Sequence, residues 1–228
     1  MASRVNFNTI FAKYRKLGKG SVRLTQSTLF LSKPISATQT TYQFDVLETQ
    51  TATLQADEIR LNLNDEFIIT QMGMYLQASV GREGVAGGSI KKLFTCVPAE
   101  LDNITAQGLQ NFYAGQFQIA VNNIVYLDKY DTRKHEFVPR TQFQNFATPN
   151  GASLPSVNFS KDSMYPCEPL ISLSGSKKNT LTLSLPSAIT GGTFNFTDDK
   201  GAITTYTIDR VCVMLRGLNA QNGSVFQN

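Results

Sequence analysis

The sequence holds no tryptophan, a single histidine (His135) and three cysteines, Cys96, Cys167 and Cys212, in 228 residues. The cysteines form no close pair. A disulfide scaffold uses an even set in a short secreted chain, so free thiols in a reducing compartment are expected. CxxC, HxxxH and HExxH are missing, which removes sequence support for zinc. One histidine leaves little room for histidine-based catalysis. No apolar run approaches the ~18 residues of a transmembrane helix, and the first 20 residues carry no apolar core with a small-residue cleavage site, so no secretory leader is expected. Charged residues are scarce as well, at 17% against ~25% in an average soluble domain. Low charge with abundant Thr, Ser, Asn and Gln suits a protein that covers much of its surface with neighbours.

Acidic residues are absent from the first 44 positions, while seven bases stand there: Arg4, Lys13, Arg15, Lys16, Lys19, Arg23 and Lys33. The other 14 bases face all 17 acids, so the body carries about −3 although the whole chain is +4. A basic arm on a mildly acidic body is expected to meet something anionic, either nucleic acid or lipid headgroups. Phe7, Ile10, Phe11, Tyr14 and Leu17 fall at helical spacing within the arm. Asn6 or Asn8 is placed to cap such a helix, and Gly18 and Gly20 to stop it. The spacing fits either a helix docked on its own body or one lying on a membrane or under a neighbouring subunit. Aromatic-interleaved basic tracts of the RNA-binding type are absent, so specific nucleic-acid binding is not expected.

After Gly20 the period changes to two. Val22 to Ser32, Tyr42 to Val46, Ile59 to Leu63, Ile68 to Leu76, Leu93 to Val97, Phe117 to Tyr126, Leu170 to Leu173 and Leu181 to Leu185 all read as strands. Thr193 to Tyr206 reads as a hairpin, with Asp198, Asp199 and Gly201 as turn residues rather than calcium ligands. One helix is expected over about 100–112, with Pro98 as starter and Leu101, Ile104 and Leu109 near one face. Gly81 to Gly88 reads as a loop, and 141–168 as a long excursion in which Phe143, Phe146 and Phe159 seek burial. Ile69 to Ala78 resembles Ile208 to Gly217, a hint of internal duplication. Many short strands and few helices predict an all-β fold of sandwich, barrel or jelly-roll type.

The basic amphipathic arm, the β body and the internal similarity resemble the double jelly-roll major capsid proteins of membrane-containing icosahedral phages, of the corticovirus and tectivirus type. The stretches Phe112 to Val125, Phe137 to Gln142 and Arg60 to Thr70 carry the likeness. The resemblance implies two jelly-roll sandwiches in one chain: an N-terminal helix over 1–18, a first roll over 19–130 and a second over 131–228. It implies a virion shell protein made in the host cytoplasm, trimerising into pseudo-hexagonal tiles beside neighbouring trimers and a vertex (penton) protein. Arg4, Lys13, Arg15, Lys16 and Lys19 would then face the phosphates of an inner viral membrane. No cofactor is implied.

Two other classes compete. A carbohydrate-binding or host-attachment sandwich would place exposed aromatics against sugar rings, yet it has no need of a basic arm. An enzyme would have to work with Cys96 and His135 as nucleophile and base, or with Glu58, Asp65 and Glu66 as carboxylates. The chain places His135 in a charged stretch, Asp131 to Glu136, that reads as an exposed turn, and the carboxylates at a solvated strand end, so no enzyme activity is expected. Asn103, Asn158, Asn195 and Asn222 match the glycosylation acceptor pattern, which an Asn-rich chain produces by chance.

Overall fold

In the computed structural model the described residues are 22–48, 58–82, 90–98, 101–137, 164–197 and 203–223, with Ala12. Ten strands are described: β1 (Arg23–Pro34), β2 (Thr41–Phe44), β3 (Glu66–Arg82), β4 (Ile90–Phe94), β5 (Gln116–Val121), β6 (Ile124–Asp131), β7 (Tyr165–Ser174), β8 (Asn179–Ser184), β9 (Gly192–Thr197) and β10 (Ile203–Gln221). One helix, α1 (Asn103–Gln110), runs into a 3₁₀ turn over Asn111–Ala114, and a second 3₁₀ turn spans Thr132–His135. The described residues form a sandwich of two sheets, all-β apart from this one short helix and the 3₁₀ turns.

One sheet has the order β1-β10-β3-β4, with β7 also on β3 and β9 also on β10; the other is β2-β8-β5-β6. Every strand pairing is antiparallel. The pairs are nested: β1 with β10, β2 with β8, β3 with β7, β5 with β6. This is one long hairpin folded over, its successive pairs dealt alternately to the two sheets. The pairs β10–β3 and β8–β5 then knit each sheet across the fold. Strands from both sides of residue 131 lie in both sheets. The similar segments Ile69 to Ala78 and Ile208 to Gly217 are partners, since Ile69 lies opposite Gly217 and Ala78 opposite Ile208. Their likeness is that of two central strands burying the same face.

The core follows from alternation. Leu29 and Leu31 of β1, Phe67, Ile69, Met72 and Met74 of β3, and Val211, Val213 and Leu215 of β10 turn inward against Tyr42, Phe44, Phe117, Ile119, Leu181 and Leu183 of the other sheet. Phe44 and Phe117 meet edge to face at 6.5 Å. Phe30, Tyr75, Leu93, Met164 and Cys212 form a second, smaller cluster.

Several expectations are corrected. Ile59 to Leu63 is no strand; it makes isolated bridges at Phe30–Ile59 and Leu47–Leu61. Its alternation is not that of a wet-faced strand, because Leu61 and Arg60 are both buried while Ile59 and Leu63 are exposed. Strand β4 stops at Phe94, and Thr95 and Cys96 bend away. The run Phe117 to Tyr126 is two strands joined by Asn122-Asn123, at φ 51° and 64°. That is the left-handed pair a two-residue hairpin turn requires, and Asn tolerates it. The expected helix begins later, at an Asp102 cap whose carboxylate accepts the N–H groups of Ile104 and Thr105. Leu101 and Leu109 are buried as expected, but Ile104 is 85% exposed. The 193–206 hairpin forms as β9 and β10, while its tip and the 141–163 part of the excursion lie outside the described residues.

Candidate functional site

The sequence singled out Arg4, Lys13, Arg15, Lys16 and Lys19. All five lie outside the described residues, as does the arm's apolar stripe. Asp198 and Asp199 do too.

His135 is placed differently from the exposed turn its charged neighbours suggested. It closes the second 3₁₀ turn and is fully buried. Its ring lies 5.5 Å from Tyr130 of β6 and 5.3 Å from Tyr165 of β7. The edge strands of the two sheets are thus tied through one imidazole. Thr132, also buried, anchors the same turn by donating its hydroxyl to the carbonyls of Phe112 and Gly115, each at 3.0 Å. Cys96 lies nearby in the chain path, because Phe137 N–H donates to Thr95 O at 2.9 Å and the Thr95 hydroxyl donates to Phe137 O at 2.7 Å. Both Cys96 and His135 are buried, so this pair is not presented to a substrate.

The three carboxylates do not converge as the sequence allowed. Glu58 is held by Arg60, by the Ser32 hydroxyl at 2.7 Å and by Arg210 at 3.6 Å. Asp65 accepts from the Asn219 amide and the Asn222 N–H, both at 2.9 Å. Glu66 is buried and accepts from the Ser172 hydroxyl. Glu58 and Glu66 are thus enclosed in hydrogen bonds and salt bridges instead of lying solvated at a strand end. Among the described residues no group of three or more His, Cys, Asp or Glu is arranged to hold a metal ion, and no helix is long and apolar enough to cross a membrane.

The feature that sequence reasoning missed lies where β6 and β7 face each other across the sheet seam. A cavity of about 340 Å³ opens there, between Leu127 and Tyr130 of β6 and Tyr165 and Pro166 of β7. It reaches the buried Met72 and Cys167, and the exposed Lys134 and Glu168 border it. The Lys134 ammonium sits 4.9 Å from the centre of the Tyr130 ring, a cation–π contact. Burial pushes the Tyr130 hydroxyl up to about 12 and the Cys167 thiol up to about 11. Both groups stay protonated at neutral pH, so neither adds charge to the inner wall, and the charged side chains of the lining are those of Lys134 and Glu168 at its border.

Beside it, Ile124, Val125 and Tyr126 are exposed by 59, 47 and 48%. Three consecutive exposed apolar residues break strand alternation. Register shifts in the β5–β6 ladder follow, between Val125 and Leu127 and between Leu127 and Tyr130, and Lys129 stands at φ 48°, so β6 departs from a regular edge. A sequence signal existed, in that Ile124-Val125-Tyr126 is an unalternated run directly after the Asn-Asn turn.

Comparison with protein-family models, with curated proteins and with solved structures finds no match for this chain.

Proposed function

We propose that this chain is the subunit of a viral shell, with one jelly roll per chain and a basic arm directed at an inner membrane. The observation that carries the reading is the nested strand order. The eight strands β1, β2, β3, β5, β6, β7, β8 and β10 pair as the two Greek keys of a rolled hairpin, with β4 and β9 as additions to the β1-side sheet. Jelly rolls of this kind serve as capsid and lectin domains. The arm, low in acid and patterned as an amphipathic helix, favours the shell over the lectin. Low overall charge fits large lateral contacts, and packing two sheets face to face limits bare edges.

The resemblance drawn from sequence carried two rolls per chain, which takes about sixteen strands. Ten described strands, with both sheets fed from both sides of residue 131, favour one roll. A tile of six rolls then takes six copies where the double-roll family takes three. Neighbouring tiles and a separate vertex protein complete such a shell. Light scattering on purified protein tests this. A native mass near six or three times 25.1 kDa, with closed particles in negative-stain images, supports the shell. A monomer that stays monomeric with anionic vesicles added counts against it.

The tyrosine-walled cavity favours one second reading, a saccharide-binding module in which Tyr130 and Tyr165 face a sugar ring. A glycan array separates the two.

A further inference from the structure

His135 sets the two tyrosines of the seam cavity. Its buried ring is tilted 40° to Tyr130 and stands at 86° to Tyr165. The two phenol planes therefore cannot be parallel, and they wall a corner instead of a slot. A flat ring clasped between them would need parallel walls. A rounded group needs inclined ones. What already sits on Tyr130 is a cation, the Lys134 ammonium at 4.9 Å from the ring centre. Lys134 and Glu168 both border the cavity and are both exposed. Among the described residues no salt bridge joins them.

We infer that the seam cavity is a site for a methylated ammonium group, the trimethylammonium of choline being the simplest, and that Lys134 is its built-in competitor. A tyrosine face carries the negative pole of the ring quadrupole and attracts a cation. Glu168 adds a carboxylate at the rim, which attracts the same charge. The inner side chains are Met72, Cys167 and Leu127, and they offer no strong acceptor. A primary ammonium carries three donors and is strongly hydrated, so it keeps to a border where water serves it. That is where Lys134 stands. A methylated nitrogen donates little or nothing, and its methyl shell suits an apolar floor. An anion is disfavoured for the converse reason. The ring faces and Glu168 repel it, and the one positive side chain of the lining is taken up by Tyr130. The site holds whether or not the chain builds a shell, and its ligand differs from a sugar in being charged.

Calorimetric titration of the full chain with choline chloride tests the site, against potassium chloride and ammonium chloride at equal ionic strength. The variants are Lys134→Ala, Lys129→Asn, Tyr130→Leu and Glu168→Gln, each checked by its melt. Choline is expected to bind wild type, and potassium and ammonium are not. Lys134→Ala is expected to bind choline about 2–5-fold tighter, because the ring no longer holds a rival ammonium. Lys129→Asn removes the same charge one residue from Tyr130, outside the cavity lining, and Asn tolerates its φ of 48°. It is expected to change affinity by less than about 2-fold. Tyr130→Leu is expected to weaken binding by more than about 5-fold, and Glu168→Gln by about 2–5-fold. General damage does not raise affinity, so the test stands even where Tyr130→Leu folds poorly. No binding of choline to wild type or Lys134→Ala, no gain in Lys134→Ala, an equal gain in Lys129→Asn, or ammonium that binds as well as choline overturns the site. Neutral phosphatidylcholine vesicles separate two sources of the group. Vesicle binding that free choline displaces supports the site and assigns the group to a lipid headgroup. Choline binding with no vesicle binding supports it and assigns the group to a free solute.

Discussion

Glu58 and Arg60 face each other at 2.8 Å, with side chains only 2 and 3% exposed, on a segment that forms no strand. The Glu58 carboxylate also receives the Ser32 hydroxyl and approaches Arg210 of β10. The pair therefore clamps the 58–61 segment onto the β1–β10 edge, where hydrogen bonding alone supplies two backbone bonds at Phe30 and Ile59.

Removing one partner of that clamp leaves a buried charge. Glu58→Ala is expected to destabilise by about 3–5 kcal/mol, read as a fall in the urea midpoint. Replacing Glu58 and Arg60 together by Leu and Met is expected to cost less than the single change. A double variant weaker than Glu58→Ala would show that the charges themselves, not their isolation, set the cost.

Two glycines carry opposite expectations. A Cβ on Gly108 in α1 meets nothing within 4 Å, so Gly108→Ala removes helix-interior glycine and stabilises by roughly 0.5–1 kcal/mol. A Cβ on Gly217 of β10 would overlap the Ile68 carbonyl, at a register shift of the β10–β3 ladder. Gly217→Ala is expected to lower the melting temperature sharply, and equal melts for the two variants would contradict this packing.

All three thiols are buried. Native protein at pH 8 is expected to react with a thiol reagent at a small fraction of the rate seen in denaturant, where three equivalents titrate. The Cys167 pKa is raised from 9.0 to about 11, chiefly by desolvation, so the folded state holds its proton more tightly than the unfolded chain. Its contribution is full below about pH 9 and is lost as pH rises through about 11. Cys167→Ser should shift that alkaline limb in a melting-temperature profile; an unchanged limb assigns it to tyrosines instead.

The arm has its own test. Lys13, Arg15, Lys16 and Lys19 changed to Glu is expected to abolish flotation with anionic vesicles while the melt of the sandwich stays as in wild type. Vesicle binding that survives the change removes the membrane role of the arm.

Much of the sandwich was legible because burial on one face writes itself as alternation. Strands β1, β2, β5, β8 and the β9–β10 hairpin were readable in this way. What failed did so for local reasons. The 58–63 segment alternates as a half-buried strand would, but its polar residues Glu58 and Arg60 form a buried ion pair. The Asn122-Asn123 turn hides inside an apolar stretch because Asn, unlike Gly, does not announce positive φ. Which distant strands pair was not readable, since periodicity says nothing of partners. The 69–78 and 208–217 likeness suggested copies of a unit, when it reflects two strands doing the same work side by side. The seam cavity was invisible for the same reason: Met72, Tyr130 and Tyr165 come from three separate strands or their approaches.

The pairing of Arg23 with Gln221 has a temporal consequence. On a ribosome, β1 and β3 emerge long before β10, the strand that lies between them and hydrogen-bonds to both. Until β10 (Ile203–Gln221) is made, Ile69, Met72 and Met74 have no lateral partner on that side. Such distant closure is slow and leaves sticky edges open. Crowded, rapid synthesis would thus set nascent chains against one another before any has closed, and trigger factors or other holding chaperones should raise the yield of folded protein more than lowering its concentration after purification does.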